Sequence, residues 1–445
     1  MVDRQWRPAL ARLGYNLAIH LLIPVAILHF LWRSRREAGY RRHLGERLAS
    51  GAPPSRRPDL WIHAVSLGEM RVAGTLVRAL AAARPTLNVL LTTVTPAGRA
   101  EAERMRVAGL PVEVRYLPLD SPALMRRFIR RARPRALVLI ETELWPNLIR
   151  QARLAGLPAV LVNARLGPAL RATYRRFRLL YGPLLRTLTW VAAQGPGDAR
   201  EFRHLGAARV EVTGNLKFDL PAAPPEPGLD RGRFAAAQLW LAGSTHPGEE
   251  ALALDVHRRL QAARGGTGIQ LLLAPRHPAR SSEVIALARS AGFSVIARSA
   301  IDSAGTSADV IVLDTLGELA SLYALADAAF VGGSLAALGG QNPLEPIAAG
   351  CPVVIGPDTR NFADMVARLR DAGALLQVAD ADGLLRALER LLGDPAAGRV
   401  QAARAREVIG ANRGATAHTL QLLEALLPGP PDAAGHGAPA TQDVR

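Results

Sequence analysis

Lysine is all but missing from this chain. Of its fifty-five Lys and Arg residues only Lys217 is lysine. Where arginine serves every other basic position, the ammonium of Lys217 reads as a site-specific choice. It is a compact point charge suited to a phosphate or a developing oxyanion, and a planar guanidinium is no equivalent. The competing reading is a lysine surviving by chance on a surface. Cysteine is nearly as scarce. A single residue, Cys351, excludes an intramolecular disulfide and fits a reducing compartment. Set in the apolar run Gly350–Ile355, it reads as a small buried hydrophobe rather than a nucleophile. Aromatic residues make up only 5% of the chain, which argues against the interleaved stacking rings of a single-stranded nucleic-acid binder. There is no G-x-G-x-x-G and no GxxxxGK[ST], so neither phosphate-loop fingerprint applies. No spaced His/Cys set points to a metal, and no cofactor is expected.

What is present is length and positive charge. The 445 residues exceed one core, so two domains are expected. A net charge of +17 implies an anionic partner: nucleic acid, anionic lipid or a phosphorylated substrate. The arginines gather in the N-terminal half, as Arg33, Arg35, Arg36, Arg41 and Arg42, then Arg126, Arg127, Arg130, Arg131, Arg133 and Arg135, then Arg171, Arg175, Arg176 and Arg178. A solvated helix face explains any one group, but three in one half are harder to dismiss. Residues Leu17 to Trp32 form an apolar run interrupted by His20, Pro24 and His29, with Arg33-Ser34-Arg35-Arg36 following in place of a cleavage site. A retained anchor is expected over residues 1–35, as a marginal span or a helix in one leaflet, with the body on the cytoplasmic side. The alternative is an amphipathic helix packed on the first domain.

Beyond the anchor, short aliphatic runs alternate with helical stretches, the pattern of parallel βαβ units. Seven strand candidates lie between Leu60 and Thr213. Pro221–Gly228 reads as a stiff linker, placed at 221–235. Seven more strands follow between Leu239 and Val378, then helices over about Asp382–Leu392 and Ala396–Leu427. The fold class is therefore α/β: two doubly wound Rossmann-like domains, 36–220 and 236–427, with a disordered tail at 428–445. Such domains, facing one another, are expected to bind ligands in the cleft at the carboxyl ends of their strands.

The chemistry-bearing motifs fall just after strands. In His63–Glu69 a carboxylate opens a helix, placed either to take a proton from a hydroxyl or to satisfy the helix dipole. Glu141-Thr142-Glu143-Leu144-Trp145-Pro146-Asn147 puts two carboxylates at the end of a fully apolar strand, which is costly unless they are paired. Lys217, an arginine or a substrate are the candidate partners. An internal ion pair of structural use is the competing reading for Glu143. In the second half, Gly243–Glu250 offers backbone N–H groups to a phosphate, and Arg276 in Ala274–Pro278 offers a bidentate clamp. His277 is an acid candidate, though more often a hydrogen-bonded spacer. Phe330–Leu335 and Gly339–Pro346 bracket a loop where backbone approaches a ligand, and Glu345 is placed to accept from ribose hydroxyls.

Taken together, His63–Glu69, Glu141–Asn147, Thr213–Asp219, Gly243–Glu250, Ala274–Pro278 and Gly339–Glu345 resemble the motifs of the 3-deoxy-D-manno-octulosonic acid (Kdo) transferases, in order and spacing. The resemblance runs from the anchor to about Leu427. It implies a GT-B glycosyltransferase of lipopolysaccharide assembly that moves Kdo from CMP-Kdo to a hydroxyl of a phosphorylated lipid A precursor with inversion, at the cytoplasmic side of the inner membrane. It gives Glu69 the part of general base, and Glu141 and Lys217 the part of transition-state stabilisers. Pro275, Arg276, Leu316, Gly317, Glu318, Asn342, Pro343, Leu344 and Glu345 resemble the CMP-binding set. One departure stands out: Gly167 occupies a position where the family usually has serine. A GT-B transferase using a UDP-sugar shares the fold and the basic face but not the ordered motifs. A nucleic-acid-binding protein shares only the charge.

Overall fold

The computed structural model describes residues 6–35, 38–219, 230–265, 268–301 and 305–427. The expected tail at 428–445 lies outside them, as do residues 221–229 of the expected linker. The described residues form two compact units, one of 6–219 with 413–427, the other of 230–412.

The first unit is built on a seven-stranded, wholly parallel sheet. Its strands are β1 (Leu60–His63), β2 (Val89–Thr93), β3 (Val112–Tyr116), β4 (Ala136–Ile140), β5 (Ala159–Ala164), β6 (Trp190–Ala193) and β7 (Val210–Val212), in the order β3-β2-β1-β4-β5-β6-β7. β1, β2, β4, β5 and β6 are buried at every position, because helices cover both faces and each strand must be apolar on both. Alternate residues feed separate cores. Trp61, Leu90, Leu137, Leu139 and Leu161 pack on one face, and Ile62, Leu91, Val138, Ile140 and Val160 on the other.

The second unit repeats the plan with β8 (Gln238–Thr245), β9 (Ile269–Pro275), β10 (Val295–Ala297), β11 (Val310–Val312), β12 (Ala328–Val331), β13 (Val353–Ile355) and β14 (Leu376–Gln377). The order is β10-β11-β9-β8-β12-β13-β14, again all parallel. Cys351 is buried here, its Sγ 3.4 Å from Ala326 O, and burial pushes its thiol up.

The C-terminal reading needs one correction. The helix expected over Ala396–Leu427 is two helices, Pro395–Asn412 and Ala415–Glu424. Gly414 breaks it at φ 101, a conformation L side chains rarely adopt. The second helix belongs with the first unit rather than the second. Ala415 and Leu423 join the core of Leu76 and Leu216, and Asp219 accepts from the N–H groups of Gly414 (2.9 Å) and Thr416 (2.6 Å).

The N-terminal helix Trp6–Arg33 is long and apolar enough to cross a membrane, with an 18-residue window of mean hydropathy 1.7 and no buried residue. It does not stand clear of the unit. A half-buried stripe of Arg12, Tyr15, Ile19, Ile23, Ile27 and Phe30 runs along it at helical spacing. Tyr15 donates to Asp120 (2.8 Å) and Asn147 donates to Asn16 (2.9 Å). Farther along, Phe30 stacks on Tyr40 and lies under the Arg47 guanidinium. The opposite face exposes Leu10, Leu13, Leu17, Leu21, Val25 and Leu28.

Candidate functional site

The winding of the first sheet reverses between β1 and β4, the place where open α/β sheets bind ligands. Three carboxylates emerge there. Glu69 stands in the first turn of helix Leu67–Ala83, just after β1. Ser66 caps that helix, accepting from the Glu69 N–H at 3.3 Å and donating to its Oε1 at 3.0 Å, while Val65 N–H donates to Oε2 at 2.7 Å. This is a capping box, and it holds the carboxylate in one orientation. Burial pushes the Glu69 carboxyl above the usual carboxylate range and Glu141 pushes the same way, while the Val65 and Ser66 donors pull it back.

Glu141 follows β4 with φ 61, a strained conformation for a residue with a side chain. Two partners hold it. Lys217 Nζ lies 2.8 Å from Oε1, and Asn163 Nδ2 donates to the same oxygen at 3.3 Å. Asn163, near the end of β5, is itself left-handed at φ 55, and its Oδ1 accepts from Leu216 N–H at 3.0 Å. One asparagine therefore ties the strand end, the glutamate and the turn of Lys217 together. Nothing in the sequence motifs singled it out. Its signal was a polar residue closing an apolar strand.

Glu143 is held differently from the ion pair considered for it. Its partner is the indole of Trp145, which donates to Oε2 at 2.6 Å. Burial first, then Glu69, pushes its carboxyl up to about 8, so it is largely protonated at neutrality. Trp145 also packs edge-on against His63, which is fully buried and held neutral at about 4 by desolvation. Gly167 opens its helix without a side-chain cap, consistent with the missing serine hydroxyl.

In the second unit the expected residues line the carboxyl edge of the sheet in three segments. Pro275 ends β9, and Arg276 N–H bonds Thr245 O at 2.8 Å. Leu316, Gly317 and Glu318 follow β11. Leu316 is 79% exposed, and Glu318 lies 3.0 Å from Arg298 at an angle short of a hydrogen bond. Asn342, Pro343, Leu344 and Glu345 follow β12, where Asn342 Oδ1 accepts from Leu344 N–H at 3.1 Å and Pro343 leads helix Leu344–Ala348. β11, β9, β8 and β12 are consecutive in the sheet, so the three segments share one rim.

One reading of this unit changes. The N–H groups of the glycine loop face an internal acceptor: Glu249, 1% exposed, accepts from Gly333, Ser334, Leu335, Ala336 and His246 at 2.7–3.2 Å. Gly332 is needed for backbone packing on its own chain, since a Cβ there would meet Ser244 O at 2.6 Å. The His277 ring lies edge-on to that of His246, which contacts Gln341. Among the described residues, no cluster of three His, Cys, Asp or Glu is placed to hold a metal.

Two units, each on a seven-stranded parallel sheet with helices on both faces, define the GT-B fold. A 2.2 Å crystal structure of a putative UDP-N-acetylglucosamine 2-epimerase from Listeria monocytogenes shares this fold, at TM-score 0.57 and 14% identity over 83% of this chain and 96% of that one. The description 3-deoxy-D-manno-octulosonic-acid transferase (kdotransferase) matches residues 42–220, and glycosyl transferases group 1 matches 297–408. A 3-deoxy-D-manno-octulosonic acid transferase of Bordetella pertussis is 40% identical over 92% of this chain and 98% of its own, and one of Haemophilus influenzae is 36% identical over 94% and 99%. The chain belongs to the Kdo transferase family and is a glycosyltransferase of lipopolysaccharide biosynthesis.

Proposed function

We propose that this enzyme transfers Kdo from CMP-Kdo to a hydroxyl of a phosphorylated lipid A precursor in one inverting displacement. Glu69 takes the acceptor proton, the hydroxyl oxygen bonds to the anomeric carbon of Kdo, and the bond to the CMP phosphate breaks with its electron pair leaving on CMP. The observation that carries this reading is the convergence of Glu69 with the Glu141–Lys217 pair where the first sheet reverses. A raised carboxyl makes Glu69 a stronger base than an exposed glutamate. Lys217, fixed by Glu141, supplies a preorganised positive charge for the negative charge that develops during transfer. Pro275, Arg276, Leu316–Glu318 and Asn342–Glu345 hold CMP in the second unit, with Arg276 toward the anionic groups and Glu345 toward the ribose.

The enzyme works at the cytoplasmic face of the inner membrane. Helix Trp6–Arg33 lies flat in one leaflet: its contacts at Tyr15 and Phe30, about 22 Å apart along the axis, leave only the leucine face for lipid. The direct test is incubation with CMP-Kdo and a tetraacylated lipid A precursor, with products identified by mass spectrometry. Kdo-bearing lipid is the expected product. Transfer from a UDP-sugar alone would favour the other GT-B reading, and calorimetric titration of CMP against UDP separates the two independently.

A further inference from the structure

The first unit carries a second basic site away from the carboxylates. Arg12, Arg150 and Arg153 line one recess with Leu179, Leu180, Pro183, Leu184 and Thr187, a space of about 360 Å3 including the solvent at its mouth. The three guanidiniums come from two helices, Trp6–Arg33 and Pro146–Leu154, and the apolar wall comes from a third, Arg178–Leu185. No carboxylate among the described residues pairs with any of the three. Elsewhere in this unit, comparable arginines are matched: Arg175 by Glu201, Arg99 by Glu46, Arg135 by Asp59. Converging cations with no counter-charge repel one another unless an anion joins them.

The surroundings say what kind of anion. Leu154 (63% exposed), Phe177 (51%) and Leu179 (45%) stand on the same helices or beside them. Large apolar side chains left in the open beside a cationic recess match an amphiphile with an anionic head and hydrocarbon tails. The recess is also separate from the reaction. Helix Pro146–Leu154 leads away from Glu141 and back toward the start of β5, which puts Arg150 and Arg153 about 6 and 10 Å along its axis from Pro146.

We propose that Arg12, Arg150 and Arg153 form a headgroup site for an anionic phospholipid of the bilayer, distinct from the site where the acceptor reacts. The bound phosphate bridges helix Trp6–Arg33 to the body, and the acyl chains run past the exposed Leu154 and Leu179. The site fixes how the enzyme sits on the membrane and does not rest on the identity of the transferred sugar.

The test uses the full chain and its Arg150→Gln/Arg153→Gln variant. Binding is measured to vesicles of phosphatidylcholine and to the same lipid with about 20 mol % phosphatidylglycerol. The exposed pair Arg289→Gln/Arg399→Gln in the second unit is the charge-matched control. The proposal expects the first variant to lose roughly twentyfold in affinity for the anionic vesicles, with neutral-vesicle binding and thermal midpoint unchanged. Equal losses in variant and control would mean general surface charge only and would overturn it. So would loss on neutral vesicles, which would mark a helix that no longer docks. Transfer to acceptor in neutral detergent micelles gives a third reading. A raised acceptor KM there would assign the recess to the acceptor and overturn the proposal, while an unchanged KM supports it.

Discussion

Lys217 Nζ lies 2.8 Å from Glu141 Oε1, and the glutamate it holds sits at φ 61 just past the end of a buried strand. The chain's one ammonium is thus spent on a strained carboxylate at the point where the first sheet reverses. Lys217→Arg keeps the charge but brings a broader planar group into a pair whose side chains are only 15% and 16% exposed. The expected result is a fall in kcat of roughly 10- to 100-fold with CMP-Kdo affinity retained, measured by steady-state transfer and calorimetry. Unchanged turnover would return Lys217 to a chance survivor.

Glu143 gives a pH signature. Its folded-state carboxyl is raised to about 8, so the fold binds its proton more tightly than the unfolded chain does. Its contribution therefore favours folding below the ordinary glutamate value and is lost as pH rises through about 8. Glu143→Gln keeps an acceptor for Trp145 and cannot ionise. The thermal midpoint of the variant should decline less across that window than the wild type's, by a few degrees. Parallel pH curves would contradict the assignment.

Glu249 accepts five backbone N–H groups while almost fully buried. Glu249→Ala leaves those donors without an acceptor and should cost about 3–5 kcal/mol, read as a shifted denaturation midpoint. A loss below about 1 kcal/mol would mean that water replaces the carboxylate and that the loop does not depend on it.

Asp219 anchors the last helix beside the turn of Lys217 by accepting from Gly414 and Thr416 N–H. Asp219→Ala removes this cap and should cost about 1–2 kcal/mol. Trypsin should then cut faster after Arg413, two residues before the helix. Equal digestion rates would show that Ala415 and Leu423 hold the helix by packing alone.

The strands were legible because parallel strands covered on both faces must be apolar throughout: Leu137 and Val138 are adjacent yet serve opposite cores. The positions of Glu69, Glu141 and Lys217 were legible because each follows a strand. What the motifs hid was long-range. Asn163 looks like the polar end of a strand until its contacts to Glu141 and Leu216 are seen. Glu249 reads as a helix-start acid until the loop 84 residues away closes on it. The break at Gly414 is masked in the sequence by a helical pattern that continues on both sides, and only tertiary packing shows that the second half joins another unit.

The central claim is that Glu69 removes the acceptor proton. Single-turnover transfer with Glu69→Gln, followed by mass spectrometry of the lipid product beside calorimetry of the donor, tests it most directly. Loss of transfer with CMP-Kdo affinity intact is predicted; product formation at the wild-type rate would contradict it.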